Sequence, residues 1–138
     1  MTGAKMNIND AVDYVGKRFI YQKDPKVWGD TWHVLKLKDN QFKGDCDDFA
    51  LTCFWYYSNQ SIAKFLFHLL ITHKYKLYRC KDVNNGWHVV GSVDDLWFDN
   101  WTKEALPRED FFAKTKHTIK MRYLSIMFVW FLIVGLFK

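Results

Sequence analysis

Three residues in this chain have the types that acyl-transfer chemistry uses: Cys46, His88 and Asp99. Cys46 stands in Gly44-Asp45-Cys46-Asp47-Asp48-Phe49-Ala50-Leu51, where a glycine ends one element and Asp45 takes the N-cap position of a helix. A thiol at the first helical position faces unpaired backbone N–H groups and the positive end of the helix dipole, and both favour thiolate. Asp45, Asp47 and Asp48 oppose this by repelling a second negative charge, so the sulfur needs a cationic histidine beside it. Of five histidines, His88 lies between Trp87 and Val89 on a strand pattern, and Asp99 ends the next strand. A carboxylate beside the ring would orient it and stabilise its protonated form. Nucleophile, general base and orienting group would then be Cys46, His88 and Asp99. The plainer reading of the same residues is a small buried thiol and a satisfied core histidine.

One turn decides whether His88 and Asp99 meet. With Val93-Asp94 as a two-residue loop, Ser92 pairs with Asp95 and His88 stands opposite Asp99. With Asp94-Asp95 as the loop, Val90 is opposite Asp99, and His88 is its diagonal neighbour on the same face. A loop of odd length puts the two side chains on opposite faces.

The elements that position these residues follow from period and punctuation. Asn7 caps a first helix with Ile8, Val12, Val15 and Phe19 on one apolar stripe, broken by Asp24-Pro25. Trp28-Gly29-Asp30-Thr31-Trp32 reads as a loop into a short amphipathic turn that buries Trp32 and Leu35, and Asp39-Asn40 as another turn. Ser58-Asn59-Gln60 interrupts the cysteine helix, and Ile62, Phe65, Leu66, Leu69 and Leu70 mark a further helix. From Tyr75 the pattern alternates. A strand runs to Cys80, Asn84-Asn85-Gly86 makes a hairpin turn, and strands follow over residues 87–93 and 96–99. Helices first and an antiparallel meander after give an α+β fold class.

A chain of 138 residues, 49% hydrophobic and 19% aromatic, can build one compact domain with a filled core. Its three cysteines show no CxxC or metal-ligand spacing, which argues against a disulfide framework and a zinc site. Residues 1–19 contain no apolar signal region, so the expectation is no signal peptide and a reducing cytoplasm. The net charge of +5 is carried by Lys114, Lys116, Lys120, Arg122 and Lys138. In residues 1–112 the other 15 basic residues balance all 15 acidic ones. A neutral body argues against a nucleic-acid partner.

Taken together, the segment from Gly44 to Ala50, then Trp87-His88-Val89-Val90, then Leu96-Trp97-Phe98-Asp99-Asn100 resemble the bacterial transglutaminase-like cysteine peptidases. These belong to the wider papain-like and transglutaminase group. The family pattern is GDC-[ED]-D-[YF]-A, a strand with His, and a strand ending Leu-Asp-Asn. Asp30-Thr31-Trp32 resembles the tryptophan-bearing segment upstream of the family's cysteine, and the likeness covers residues 25–110.

The resemblance implies a helix bearing Cys46 packed on an antiparallel sheet that bears His88 and Asp99. It implies acyl transfer on a protein or peptide: attack on an amide carbonyl, a thioester, then release to water or an amine. The oxyanion would be held by the Cys46 N–H and one further donor, with Trp32 and Gln41 as candidates by position. No cofactor is required. In the family's periplasmic branch, however, acidic residues flanking the cysteine bind calcium, and Asp45, Asp47 and Asp48 match that cluster. The ordinary alternative for them is a helix cap and a dipole-compensating first turn. Two departures stand out: that branch carries a secretion signal, and it lacks the apolar C-terminal stretch present here.

That stretch, residues 123–137, is apolar except for Ser125 and is bracketed by Arg122 and Lys138. As a helix it would span about 22 Å, short of the roughly 30 Å hydrocarbon core, a gap that snorkelling by the flanking cations would narrow. The expected division is a domain over 1–120 and a hydrophobic helix over 121–138 that anchors it to a membrane. The basic cluster would keep the domain on the cytoplasmic side. The alternative makes the stretch part of the core. The leading function is a membrane-tethered cysteine peptidase or acyl transferase. Against it stand a catalytically idle domain of the same fold that binds a peptide or membrane protein, and a small membrane-active protein of phage type.

Overall fold

The computed structural model describes residues 6–22 and 34–124. Helix α1 (Ile8–Arg18) begins where the Asn7 side chain accepts the Asp10 N–H at 2.8 Å, and it buries Ile8, Val12 and Val15. The stripe's last member, Phe19, is not helical. It opens strand β1 (Phe19–Tyr21), which pairs in parallel with β2 (Phe42–Gly44). The helix therefore stops before the expected break at Asp24-Pro25. An apolar residue at the end of a helical stripe serves equally as the first inward residue of a strand, and Phe19 buries its ring edge-on to Phe49. Residues 23–33, with Trp28, Asp30 and Trp32, lie outside the described residues.

Helix α2 (Cys46–Tyr57) follows β2 after the single residue Asp45. It is buried over Asp47–Phe54 without a break, which explains why its sequence carries no polar face. Past Ser58, helix α3 (Ile62–Leu66) runs into one π-helical turn, Phe67–Ile71. The anticipated single helix is thus two short ones, with Phe65 and Leu69 as the buried contacts.

Strands β3 (Lys76–Lys81), β4 (Trp87–Val93), β5 (Leu96–Phe98), β6 (Leu106–Pro107) and β7 (Thr118–Arg122) form an antiparallel sheet in the order β6-β5-β4-β3-β7. Asp94 and Asp95 take left-handed φ values of 50° and 63° and close the β4–β5 hairpin, with Val93 paired to Leu96. Of the two even-length registers, the Asp94-Asp95 loop is the one adopted.

The sheet separates two cores. Leu77, Val89, Val93 and Phe98 face α1 and α2, whereas Cys80, Val90 and Trp97 pack with Phe111 of helix α4 (Arg108–Thr115). Gly91 lets α2 approach β4, since a Cβ there would lie 2.7 Å from the Phe98 ring and 3.3 Å from Ala50 Cβ.

Helix α4 and strands β6 and β7 were not anticipated from the sequence. In β7, Ile119 and Met121 point inward between exposed Thr118, Lys120 and Arg122, a strand alternation that reads as a basic cluster when only charge is counted. Met121 pairs with Arg79 and Arg122 with Tyr78, Tyr123 is buried, and its N–H donates to Leu77 O at 3.0 Å. The boundary after Lys120 therefore falls inside a strand, and the expected hydrophobic helix over 121–138 does not begin at 121. Its remainder, residues 125–138, lies outside the described residues. Among the described residues no helix is long and apolar enough to cross a membrane.

Candidate functional site

The Asp45 carboxylate accepts the Asp48 N–H (3.5 Å) and the Asp48 carboxylate accepts the Asp45 N–H (3.4 Å), a reciprocal cap that starts α2 at Cys46. Gly44 leaves room beside it, because a Cβ there would sit 2.9 Å from both Asp48 Oδ2 and the Leu35 methyls, which would have to shift. Thr52, one turn further, donates to Asp48 O (2.7 Å) and accepts the Leu35 N–H (2.8 Å), tying the incoming chain to the helix.

The half-buried Cys46 thiol accepts the Val89 N–H at 3.4 Å. This amide is available because β5 stops at Phe98. In a two-residue hairpin closed by Val93 and Leu96, the odd-numbered N–H groups of β4 point toward β5, and at Val89 no β5 residue remains to receive one. The sulfur thus sits one peptide unit from His88. Burial pushes the thiol well above its ordinary range, the Asp47 and Asp45 charges push it the same way, and the N–H groups of Val89 and Asp47 only partly oppose them. The dipole and N–H argument for a resting thiolate loses here to desolvation and like charge.

His88 and Asp99 meet on the other face of the sheet, His88 Nε2 lying 2.8 Å from Asp99 Oδ2 with both side chains buried. Asp99 Oδ1 accepts the N–H groups of Trp101 (3.1 Å) and Thr102 (2.7 Å), a turn that begins as β5 ends. Burial alone would raise the Asp99 carboxyl. Hydrogen bonds from His117 and His88, with help from Thr102, outweigh it and hold the group well below the usual carboxylate range.

Sequence reasoning missed His117, whose Nε2 lies 3.0 Å from the same Asp99 Oδ2. Its signal was a histidine just before an alternating segment. That segment's lysines suggested an exposed tail instead. Trp101 was also missed: its ring lies 4.7 Å from that of His88 and 5.1 Å from that of His117, and half of it remains exposed.

The other candidates fare unequally. Gln41 forms a backbone bridge with Lys38, and among the described residues no hydrogen bond joins its side chain to Cys46. Trp32 lies outside the described residues. Asp45, Asp47 and Asp48 are all buried, and each offers a carboxylate oxygen within 4.8 Å of the others. That is a hard, all-oxygen donor set, the chemistry calcium takes. Atoms of His88, Asp99 and His117 also converge, but as two donors and one acceptor already joined by hydrogen bonds.

No family model matches this chain, and no curated protein does. Among solved structures, calcium-bound LapG of Legionella pneumophila superposes with a TM-score of 0.52 at 16% identity, over 86% of this chain. The chain spans 66% of that structure's length. The likeness is one of fold, an α+β arrangement in which the described residues form four α-helices and an antiparallel sheet.

Proposed function

We propose that this chain is a transglutaminase-like cysteine peptidase or acyl transferase acting on a protein or peptide, with Cys46 as nucleophile, His88 as general base and Asp99 as the group that orients His88. The observation that carries the reading is the Cys46 sulfur on the Val89 N–H, one peptide unit from a His88 held to Asp99 at 2.8 Å. A carboxylate only accepts, so His88 carries its proton on Nε2 and keeps a lone pair on Nδ1. The reading requires that Nδ1 be the ring nitrogen that takes the proton from the Cys46 sulfur.

In the first step the Sγ proton passes to His88 Nδ1, and sulfur forms a bond to the amide carbonyl carbon. The oxyanion is held by the Cys46 N–H and a second donor, for which Trp32 and Gln41 remain the proposed residues. Collapse breaks the C–N bond, and the Nδ1 proton leaves with the amine. Water, or a second amine, then gives its proton to Nδ1 and attacks the thioester; the C–S bond breaks, acid or new amide leaves, and sulfur takes the proton back from Nδ1.

Calcium is proposed at Asp45, Asp47 and Asp48, whose oxygens converge and whose counterpart in fold is calcium-bound. A cation there would neutralise the charge gathered at the start of α2. Isothermal titration with calcium alone, repeated on Asp47→Asn, checks it, and no heat in either chain removes the proposal. The membrane tether is proposed for the residues beyond Leu124, with the domain facing the cytoplasm. Flotation of the full chain with anionic vesicles tests it.

One observation favours the idle-domain reading: the buried thiol is pushed above its ordinary range. Iodoacetamide decides between them. An activated Cys46 alkylates faster than free cysteine and slows in His88→Ala, whereas an idle one reacts slowly in both chains.

A further inference from the structure

Asp99 is a shared carboxylate. Its Oδ2 faces His88 Nε2 at 2.8 Å and His117 Nε2 at 3.0 Å, while its Oδ1 is filled by two backbone N–H groups. Two imidazoles can satisfy one ionised oxygen only if each presents an N–H, so both rings carry a proton on Nε2. His117 Nδ1 is buried with no partner among the described residues, which suits a lone pair and not a second proton. The ring is delivered there by the end of α4. Lys116 turns the chain with a left-handed φ of 59°, and Thr115 Oγ1 accepts the His117 N–H at 3.3 Å. Once placed, the His117 ring packs 4.9 Å from His88 and 6.0 Å from Phe111.

We infer that His117 is a positioning residue for the reaction: its Nε2–H clamps the Asp99 carboxylate, and the clamped carboxylate confines His88 to the Nε2–H tautomer with Nδ1 free to act as base. The inference rests on His88 being that base. Without His117, Oδ2 has a single donor, and the carboxylate and the His88 ring both gain room to turn. His88 then spends part of its time as the Nδ1–H form, which cannot take a proton from sulfur. The titratable and charged groups facing this cluster are Asp82 and Cys80 from β3 and its turn, and Arg108 and Glu109, which line an open groove with His117. None of them offers an N–H that could replace His117 on Oδ2 except Arg108, and it stacks on Trp97 and Phe112.

The test uses the full chain labelled with 15N-histidine, in a Cys46→Ala background so that the thiol does not titrate with the ring. The ring-nitrogen shifts should show His88 and His117 each protonated at Nε2. In His117→Leu the His88 signals should move to a mixture of tautomers. In His117→Gln, whose amide nitrogen can reach the position of Nε2, they should return. With Cys46 present, iodoacetamide alkylation should fall about tenfold in the leucine chain, part of the roughly 10²–10⁴ that a positioned base supplies, and recover with glutamine. A His88 that stays wholly Nε2–H in the leucine chain overturns the inference, and so does glutamine performing no better than leucine. Should the leucine chain not fold, wild type decides: a His117 protonated at Nδ1 overturns it. Unchanged alkylation in His88→Ala sinks the general-base reading alone, and the tautomer result stands apart from it.

Discussion

Asp99 and the group Asp45, Asp47 and Asp48 are all buried, yet in the proposed reaction they would act in opposite senses. Asp99 collects four N–H groups, two of them imidazole, and these outweigh its burial. Its charge is therefore secure and can support a proton on His88. The three aspartates at the start of α2 exchange longer bonds of 3.1–3.5 Å with their own backbone, and the charges of Asp47 and Asp45 still reach the sulfur. In the proposed reaction one set of carboxylates would ready the base and the other would restrain the nucleophile. On the proposed mechanism, a thiol so held would become thiolate only by handing its proton to His88 at the moment of attack.

Removing the restrained partner is the harshest way to break this contrast. Cys46→Ala should abolish labelling by a thiol-directed acylating probe while circular dichroism stays at wild type, since alanine at a helix start costs little. Labelling that persists would move the nucleophile to another cysteine, although burial pushes Cys53 up and Cys80 to about 12. Next in size is the base. His88→Ala should slow probe acylation by about 10²-fold or more, and Asp99→Asn by less, since it alters the ring's orientation and charge but leaves the ring present. Equal losses would mean that Asp99 has a second role.

Asp99 also makes stability depend on pH, and the sign is fixed by its depressed carboxyl. The stabilisation is complete above the ordinary carboxylate value of about 3.9 and is lost as pH falls through the lower folded value. Urea midpoints measured downward from pH 5 should fall in wild type and flatten in Asp99→Asn. A parallel fall in both would place the acid sensitivity elsewhere.

Two smaller effects sharpen the contrast at its edges. A chain ended after Lys120 loses two strand pairings and buried Tyr123, at about 1.5–3 kcal/mol for that side chain alone, whereas one ended after Leu124 keeps them. The first should have a clearly lower urea midpoint than the second; equal midpoints would remove β7 from the domain. Gly44→Ala should cost about 1 kcal/mol by crowding the Asp45–Asp48 cap, read as a drop in Tm. An unchanged Tm would mean that Leu35 and Asp48 move aside freely.

Much of this was legible because it depended on short-range rules. Asn7, Asp45 and the Asp94-Asp95 turn sit where capping and hairpin chemistry place them, and turn parity put His88 and Asp99 on one face. What sequence could not show depended on three-dimensional neighbours. Phe19 changed element because β2, 23 residues on, lay ready to pair with it. The state of the thiol turned on how deeply α2 sinks into the core, which no local pattern around Cys46 records. His117 lies 18 residues from Asp99 and reaches it only because α4 folds back across the sheet. Its neighbours Lys114, Lys116 and Lys120 declared a charge cluster, and that signal concealed a strand.

The early end of β5 has one more consequence. The Val89 amide is the missing rung of the β4–β5 ladder, closed by sulfur instead of a carbonyl oxygen. Sulfur is a weak acceptor and changes its bonding whenever it is acylated. The exchange rate of that single amide with deuterium therefore records the state of the nucleophile. It should be slow in the resting protein and accelerate while a thioester is present, and its neighbours within the intact ladder should not change. If the proposed chemistry holds, that amide is a built-in reporter of turnover, readable without a labelled substrate.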